Sequence, residues 1–170
     1  MLDKLKDITT FVFDVDGVLT DGSVLVTESG EQSRAFNIKD GYALQLAVKL
    51  GYHVCAISGS RSKVALYRLN SLGITDVYLG SHVKTEKLKA YMEERSISPS
   101  QVLYMGDDIP DLEVMKLVGL PVCPADAAEE IKAVSSYISP LPGGKGCVRE
   151  IIEKVLKVQQ RWMGAEAYSW

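Results

Sequence analysis

The sequence is poor in the residues that build disulfide frameworks and zinc sites. It has three cysteines and two histidines in 170 residues, and no pair of cysteines has C-x-x-C spacing. An odd number of widely separated cysteines argues against a disulfide framework, and two histidines are too few for a histidine-rich metal site. We therefore expect Cys55, Cys123 and Cys147 to be buried, reduced thiols.

The sequence also lacks excess positive charge and long apolar runs. Its net charge is −3, and Lys and Arg are scattered, which argues against a nucleic-acid or anionic-membrane partner. No apolar stretch reaches the roughly 20 residues that a membrane helix needs. The first ten residues lack the apolar segment of a signal peptide. These features predict a single compact domain over residues 1–170, located in the cytoplasm.

Strand-like and helix-like segments alternate along the chain. The predicted strands are residues 8–13, 53–57, 76–79, 102–105 and 120–122. The segments between most of them have the length and apolar pattern of helices, and the last helix, after the loop 142–146, is amphipathic. This alternation predicts an α/β fold with a Rossmann-like parallel sheet and helices on both faces.

A β-hairpin is predicted after the first strand. Residues 24–27 and 32–37 are strand-like and flank the turn residues Ser29 and Gly30. Asp40 is placed to cap the helix that follows, and Gly51 to end it.

Polar residues follow several predicted strands at the point where each strand ends. They are, in chain order, Asp14, Asp16, Ser58, Lys84 or Lys87, and Asp107. In open parallel sheets the ligand binds outside the carboxyl ends of the strands. The sequence therefore predicts that carboxylates, a hydroxyl and an ammonium meet at one edge.

The segment Asp14-x-Asp16-Gly17 is the first candidate for chemistry. Asp and Gly are ordinary turn residues, so a plain turn is the alternative. A calcium-binding EF-hand loop is excluded, because ligand positions 5 and 12 are Val18 and Leu25. A carboxylate at the end of an apolar strand, with a second one two residues on, offers a nucleophile and an acid–base partner.

A second acidic group, Asp107, Asp108 and Asp111, follows the strand 102–105. These acids suit the start of a helix, which is the structural alternative. Together with Asp14 they offer the oxygen ligands that Mg²⁺ prefers. A divalent ion would offset the repulsion between an attacking carboxylate and an anionic phosphate. Ser58 is either a turn residue or a phosphate ligand through its hydroxyl and the neighbouring N–H groups.

The order Asp-x-Asp-Gly, Ser, Lys, Gly-Asp-Asp-x-x-Asp resembles the four motifs of the haloacid dehalogenase superfamily. The resemblance implies that Asp14 attacks phosphorus, and that Asp16 protonates the leaving alcohol and then activates water. It implies that Ser58 and a lysine hold the phosphoryl oxygens. It also implies that Mg²⁺ is bound by Asp14, the main-chain carbonyl of Asp16, and Asp107, with Asp108 and Asp111 tuning that shell.

The lysine is assigned by the same resemblance. Residues 85–88, Thr-Glu-Lys-Leu, resemble the family's Asp-Lys-Leu motif, which favours Lys87. The segment after the strand is a few residues longer than the family's usual one, so Lys84 stays an alternative.

A narrower resemblance covers nearly the whole chain. Residues 14–22, 37–41, 105–112 and 142–150 resemble the phosphatases of 3-deoxy-D-manno-octulosonate 8-phosphate, a cap-less, tetrameric branch that makes a lipopolysaccharide sugar. About 24 residues separate Asp16 from Asp40, and the hairpin uses them, which leaves no room for a cap domain.

The substrate prediction is an eight-carbon sugar acid, and Gly59, Arg61 and Arg68 are the expected contacts. Relatives that act on a nine-carbon, sialic-acid-like 9-phosphate carry Glu at the position of Ser60. Its absence favours the octulosonate, with the nine-carbon phosphate as the alternative.

A homotetramer is predicted, in which a neighbouring subunit completes each active site. The hairpin lies outside the predicted sheet and carries Val24 and Val26, and the tail 160–170 carries Trp162 and Trp170. On a monomer these would be exposed apolar patches.

Two functions other than that of an enzyme are the alternatives. The first is the receiver domain of response regulators, whose acidic pair follows the first strand and whose lysine comes last. Here the acidic pair comes last and the lysine precedes it, and Asp16 suits an enzyme that turns over. The second is a non-catalytic scaffold, which the apparent presence of every catalytic residue disfavours.

Overall fold

The computed structural model describes residues 2–170, in which six parallel strands form a central sheet. Their order across the sheet is β5-β4-β1-β6-β7-β8. The strands are β1 (Thr10–Phe13), β4 (His53–Ile57), β5 (Asp76–Tyr78), β6 (Val102–Met105), β7 (Leu120–Cys123) and β8 (Tyr137–Ile138). The first strand lies in the middle, paired with β4 on one side and β6 on the other. Residues that follow β1, β4 and β6 therefore emerge side by side.

Within residues 2–170, seven α-helices cover the two faces of the sheet. They are α1 (Leu2–Lys6), α2 (Ile38–Lys49), α3 (Val64–Asn70), α4 (Lys84–Glu94), α5 (Leu112–Met115), α6 (Glu129–Val134) and α7 (Cys147–Val158). Helices α1, α2, α3 and α7 share one buried apolar cluster, and α4, α5 and α6 share another. Strand β1 serves both clusters, because Phe11 and Phe13 face one and Val12 the other. The predicted α/β fold with helices on both faces is confirmed.

The predicted hairpin is also present, outside the main sheet. Strands β2 (Leu25–Val26) and β3 (Gln32–Ser33) pair in antiparallel fashion, and the turn between them closes with Gly30 N–H donating to the carbonyl of Thr27 at 2.9 Å. Between β1 and α2 the described chain holds only a single helical turn, Val15–Leu19, and this hairpin. The described residues between β1 and α2 therefore include no cap domain.

Several details of the elements differ from expectation. The predicted cap is wrong: α2 begins at Ile38, and Asn37 accepts hydrogen bonds from the N–H groups of Lys39 and Asp40 at 2.8 and 3.3 Å. Asp40 is instead buried and accepts from the N–H of Arg149 at 2.7 Å. Helices α1 and α6 and the short strand β8 were not predicted, because each is too short to display a period.

The three cysteines are free and buried, as predicted. None of the helices in residues 2–170 is long and apolar enough to cross a membrane.

The C-terminal tail folds back along α2 of its own chain. Tyr42 donates a hydrogen bond from its hydroxyl to the carbonyl of Ala167 at 2.5 Å, and its ring meets Trp162 and Trp170 edge-on. Lys49 donates to the carbonyl of Ser169 at 2.9 Å. The tail therefore has packing partners within one chain, although Trp170 is 66% exposed.

Candidate active site

The polar residues predicted to meet do meet, in a cavity of about 340 Å³ at the carboxyl ends of β1, β4 and β6. The cavity is lined by Asp14, Asp16, Gly22, Ser58, Gly59, Ser60, Lys84, Asp107, Asp108, Pro110 and Asp111. A larger groove of about 840 Å³ lies between the start of α2 and the exposed side of α7. None of the predicted site residues lines that groove, so the smaller cavity is the candidate site.

The loop after β1 turns sharply so that two carboxylates face the cavity. Asp14 N–H donates to the carbonyl of Met105 on β6 at 3.0 Å, which adds one hydrogen bond to the pairing of β1 with β6. Gly17 has φ of +88°, a backbone conformation that favours glycine. A methyl group on Gly17 would overlap the carboxylate of Asp107. Glycine thus supplies both the turn and the space for Asp107.

Lys84 forms the electrostatic centre of the cavity. It is the first residue of α4, and its ammonium lies 2.9 Å from Asp14 Oδ1 and 2.7 Å from Asp111 Oδ1. Only 5% of its side chain is exposed. Burial opposes its charge, yet Asp14 and Asp111 hold the pKa of Lys84 above its ordinary value. The side chain is therefore a fixed cation beside the candidate nucleophile.

Asp111 anchors this lysine. Its Oδ1 also accepts a hydrogen bond from the buried hydroxyl of Tyr104 at 2.7 Å, and its Oδ2 accepts from Asp107 N–H at 3.2 Å. Asp111 thus ties the start of α4 to the loop after β6. Asp108 is exposed and accepts from the N–H of Ile109 at 2.8 Å, at the start of the next helical turn.

Three carboxylates form a potential metal site. Asp14, Asp107 and Asp111 each offer an oxygen, and these oxygens lie within 4.8 Å of one another. Asp107 Oδ1 is buried and has no hydrogen-bond partner among residues 2–170. Burial, with the charge of Asp111 next, raises the pKa of Asp14 to about 7, and burial with the charge of Asp14 raises that of Asp107 to about 8.

These features suit a hard cation. Buried oxygen ligands that repel one another, one of them without a partner, are what a Mg²⁺ ion would stabilise. Asp111 already has three hydrogen-bond donors, so Asp14 and Asp107 are the side chains available to the ion. The side chain of Asp16 is not in this cluster.

The choice of Lys87 over Lys84 is corrected by the structure. Lys87 Nζ lies 4.5 Å from the centre of the Tyr78 ring, and its side chain lines a separate depression with Val83 and Glu86. The physical reason is distance along the helix. Three residues correspond to a rise of about 4.5 Å along the helix axis. Lys87 therefore lies farther than Lys84 from the edge of the sheet, where α4 begins.

Ser58 and Gly59 lie where the sequence predicts. Ser58 is buried, and its hydroxyl oxygen accepts from the N–H of Ser60 at 3.1 Å, which leaves the hydroxyl proton free to donate into the cavity. Gly59 lines the cavity directly.

Arg61 and Arg68 do not line the cavity of their own chain. The side chain of Arg61 is exposed and packs beside Gly80, and the guanidinium of Arg68 lies against Gly41 of α2. Arg61 lies in the loop between β4 and α3, and Arg68 lies within α3 itself. Within one chain the geometry gives no support to Arg61 and Arg68 as sugar contacts.

The sequence reasoning missed Arg34. This residue follows β3 of the hairpin, and its Nε donates to Asp16 Oδ1 at 2.6 Å while its Nη2 donates to Asp16 Oδ2 at 3.3 Å and to Ser60 Oγ at 3.2 Å. A signal was available, because Arg34 is the one Lys or Arg between Lys6 and Lys39.

Comparison with known proteins agrees with this geometry. Residues 61–151 match the haloacid dehalogenase-like hydrolase family. The 3-deoxy-D-manno-octulosonate 8-phosphate phosphatase KdsC of Yersinia pestis is 37% identical over 172 residues, which cover 99% of this chain and 90% of that protein.

Solved structures are similar over the same extent. The Yersinia pestis phosphatase has a TM-score of 0.94 at 35% identity, covering 96% of this chain and 88% of that one. The phosphatase of the same name from Moraxella catarrhalis, in complex with a magnesium ion, a phosphate ion and a KDO molecule, has a TM-score of 0.92 at 34% identity, covering 95% and 92%. With a family match over more than half of its residues and a relative similar along nearly its whole length, the chain belongs to the haloacid dehalogenase-like hydrolases.

Proposed function

We propose that this chain is a Mg²⁺-dependent phosphomonoesterase that hydrolyses 3-deoxy-D-manno-octulosonate 8-phosphate to the free sugar acid and phosphate, as a step in making a lipopolysaccharide sugar. The observation that carries the proposal is the pairing of Asp14 with the buried ammonium of Lys84 at 2.9 Å, beside Asp107. In this proposal Asp14 is the nucleophile, Lys84 is the cation that binds the phosphate, and Asp107 contributes to the metal site. The similarity to a phosphatase solved with magnesium, phosphate and KDO supports the choice of substrate.

Asp14 is the nucleophile in the first step. One of its carboxylate oxygens forms a bond to phosphorus as the bond from phosphorus to the ester oxygen breaks, which leaves an aspartyl-phosphate. Asp16 lies at the mouth of the cavity with 32% of its side chain exposed, where it donates a proton to the departing oxygen. Without that proton the leaving group would be a strongly basic alkoxide.

The second step returns the enzyme to its starting state. Asp16, now ionised, takes a proton from a water molecule as the water oxygen attacks phosphorus. The bond between phosphorus and Asp14 breaks, and inorganic phosphate is released. One carboxyl group serves as acid and then as base, and so the cycle needs no other proton carrier.

The phosphoryl oxygens are held by Ser58 and Lys84. The hydroxyl proton of Ser58 is free to donate because its oxygen already accepts from Ser60 N–H. Lys84 is fixed by Asp111, so its ammonium needs no reorganisation when charge develops on the phosphoryl group.

Asp14, Asp107 and the main-chain carbonyl of Asp16 hold the metal ion in this proposal. When bound, Mg²⁺ supplies positive charge that offsets the repulsion between the attacking carboxylate and the phosphate. The unpartnered Oδ1 of Asp107 and the raised pKa of Asp107 support this assignment.

The assembly we propose is a cytoplasmic homotetramer of single-domain chains, residues 1–170, in which a neighbouring subunit narrows each open cavity. The exposed apolar side chains of the hairpin support an interface there: Leu25 and Val26 are 69% and 58% exposed. Sedimentation of the wild type and of V26D tests it. A monomeric, fully active wild type would contradict the assembly without touching the chemistry.

Steady-state turnover of the purified protein on a panel of sugar phosphates tests the function. The octulosonate 8-phosphate should give the highest kcat/KM, and chelation should abolish turnover until Mg²⁺ is added. The panel includes a nine-carbon, sialic-acid-like 9-phosphate, and preference for it would overturn the substrate but not the reaction. Full turnover in excess chelator would overturn the mechanism.

A further inference from the structure

Arg34 stands out from the rest of the hairpin by its burial. Every other residue from 21 to 35 is exposed, whereas only 5% of the Arg34 side chain is exposed. A long side chain loses about 2 kcal/mol of rotamer entropy when it is fixed. The hairpin is otherwise exposed to solvent, and yet it buries this one side chain at a cost in conformational entropy.

The guanidinium joins two loops of the active site. Through Nε and Nη2 it binds both carboxylate oxygens of Asp16, and Nη2 also reaches Ser60 Oγ at 3.2 Å. Asp16 follows β1 and Ser60 follows β4. A two-pronged contact of this kind fixes the orientation of a carboxylate as well as its distance.

Arg34 does not itself line the cavity, although both of its partners do. Its Nη1 is buried and has no hydrogen-bond partner among residues 2–170. A buried donor without a partner costs about 1–3 kcal/mol. The arrangement is therefore poorly suited to stability alone and well suited to holding Asp16.

We propose that Arg34 is a positioning residue that orients the Asp16 carboxylate toward the leaving oxygen. This inference rests on the proposed phosphatase function, in which Asp16 is the proton donor. Without Arg34, the part-exposed Asp16 side chain is free to rotate about its own bonds. Proton transfer needs a donor within hydrogen-bond reach of the departing oxygen. The hairpin is then part of the catalytic apparatus of its own chain.

The test uses R34M with two simple phosphate esters that carry no carboxylate, p-nitrophenyl phosphate and phenyl phosphate. The leaving group of p-nitrophenyl phosphate departs without taking up a proton. The leaving group of phenyl phosphate is more basic and departs less readily unless it is protonated. Because kcat/KM reports the steps up to the aspartyl-phosphate, a misplaced Asp16 should matter only for the second. We expect kcat/KM to fall at least about 10-fold for phenyl phosphate and less than about threefold for p-nitrophenyl phosphate.

Two further variants separate positioning from folding. R34K keeps a cation that can reach one oxygen of Asp16, so it should recover part of the loss for phenyl phosphate. R95M is the control, because Arg95 also pairs with a carboxylate, that of Asp76 at 2.9 Å, but outside the cavity. The ratio of the two kcat/KM values should stay at the wild-type value.

Each other outcome overturns the proposal. Equal losses for the two esters would mean that Arg34 serves folding or phosphate binding, and no loss would mean that Asp16 is placed without it. If the wild type with Mg²⁺ hydrolyses neither these esters nor the octulosonate 8-phosphate, the proposed function itself fails, and the positioning role fails with it.

Discussion

Replacing Lys84 by methionine tests the electrostatic centre of the site. The ammonium of Lys84 contacts Asp14 and Asp111 at 2.9 and 2.7 Å. Methionine keeps most of the volume of the side chain but leaves the two buried carboxylates without their cation. Losing one fixed charge-stabilising group from a buried site costs roughly 100- to 1,000-fold in rate, or about 3–4 kcal/mol. We expect K84M to lose that much kcat/KM at saturating Mg²⁺.

The pH dependence and stability of K84M should change in a defined direction. Lys84 lowers the pKa of Asp14 against the effect of burial, so its removal raises that pKa further. The nucleophile must be ionised, and the acidic limb of the pH–rate profile should therefore move to higher pH. Removing one partner from a buried ion pair also costs about 3–5 kcal/mol of unfolding free energy, which urea denaturation measures.

Lys87 provides the matched control, since it lies three residues along the same helix. Its ammonium contacts the Tyr78 ring and not a carboxylate of the site. K87M should lose about 0.5–1 kcal/mol of stability with its cation–π contact and keep kcat/KM within about twofold. The reasoning is refuted if K87M is inactive while K84M stays within about tenfold of the wild type.

The other expectations concern the nucleophile, the metal site and pH. Asp14→Asn keeps the shape of the nucleophile without its charge, so turnover should fall to background; steady-state retention of more than a few per cent would contradict covalent catalysis. G17A should weaken Mg²⁺ binding at least about 10-fold in calorimetry, because the new methyl group would overlap Asp107. G51A, with φ of +83° and open space around it, adds similar backbone strain without overlap, and equal affinities in the two variants would rule out the steric argument. In the metal-free protein the pKa values of Asp14 and Asp107 rise from 3.8 to about 7 and about 8. A raised acid pKa makes stability fall as pH rises through that interval. Mg²⁺ should therefore raise the unfolding temperature more above pH 8 than below pH 7, and an increment that does not vary with pH would count against a carboxylate site.

The main strands and the residues that follow them could be predicted because their signals are local. The strands His53–Ile57 and Val102–Met105 have the bounds that the sequence indicates. Each is a short, mainly apolar run, and a serine or a glycine follows it directly. Parallel pairing then brings Asp14, Ser58 and Asp107 together without further information, because the carboxyl ends of neighbouring strands share one edge.

The lysine could not be chosen correctly from motif spacing alone. Lys84 and Lys87 lie on similar faces of α4, so a helical pattern does not separate them. What separates them is where the helix begins. Helix α4 starts at Lys84 itself, with no side-chain cap from Val83, and a start without a capping residue leaves no mark in the sequence.

Arg34 was missed for a different physical reason. Strands β2 and β3 have two residues each, which is too short for an alternating pattern. The contact of Arg34 with Asp16 depends on how the hairpin leans back over the loop after β1, and no local propensity specifies that angle. Only the isolation of this cation in the sequence pointed to a role.

The contacts that hold the loop after β1 and the start of α2 in place join segments that are far apart in the sequence. Asp40 was expected to cap its own helix, yet it accepts from Arg149 N–H at 2.7 Å and so joins the start of α2 to the start of α7. The loop before α7 packs directly on the loop after β1: Gly144 N–H donates to the carbonyl of Val18 at 2.9 Å, and a methyl group on Gly143 would overlap the carbonyl of Gly17. From the sequence alone, a carboxylate near the start of a helix could accept a hydrogen bond from its own helix or from a distant one. The choice is made by packing between segments more than 100 residues apart, and for that reason the chemistry of this site was easier to predict than the contacts that hold it in place.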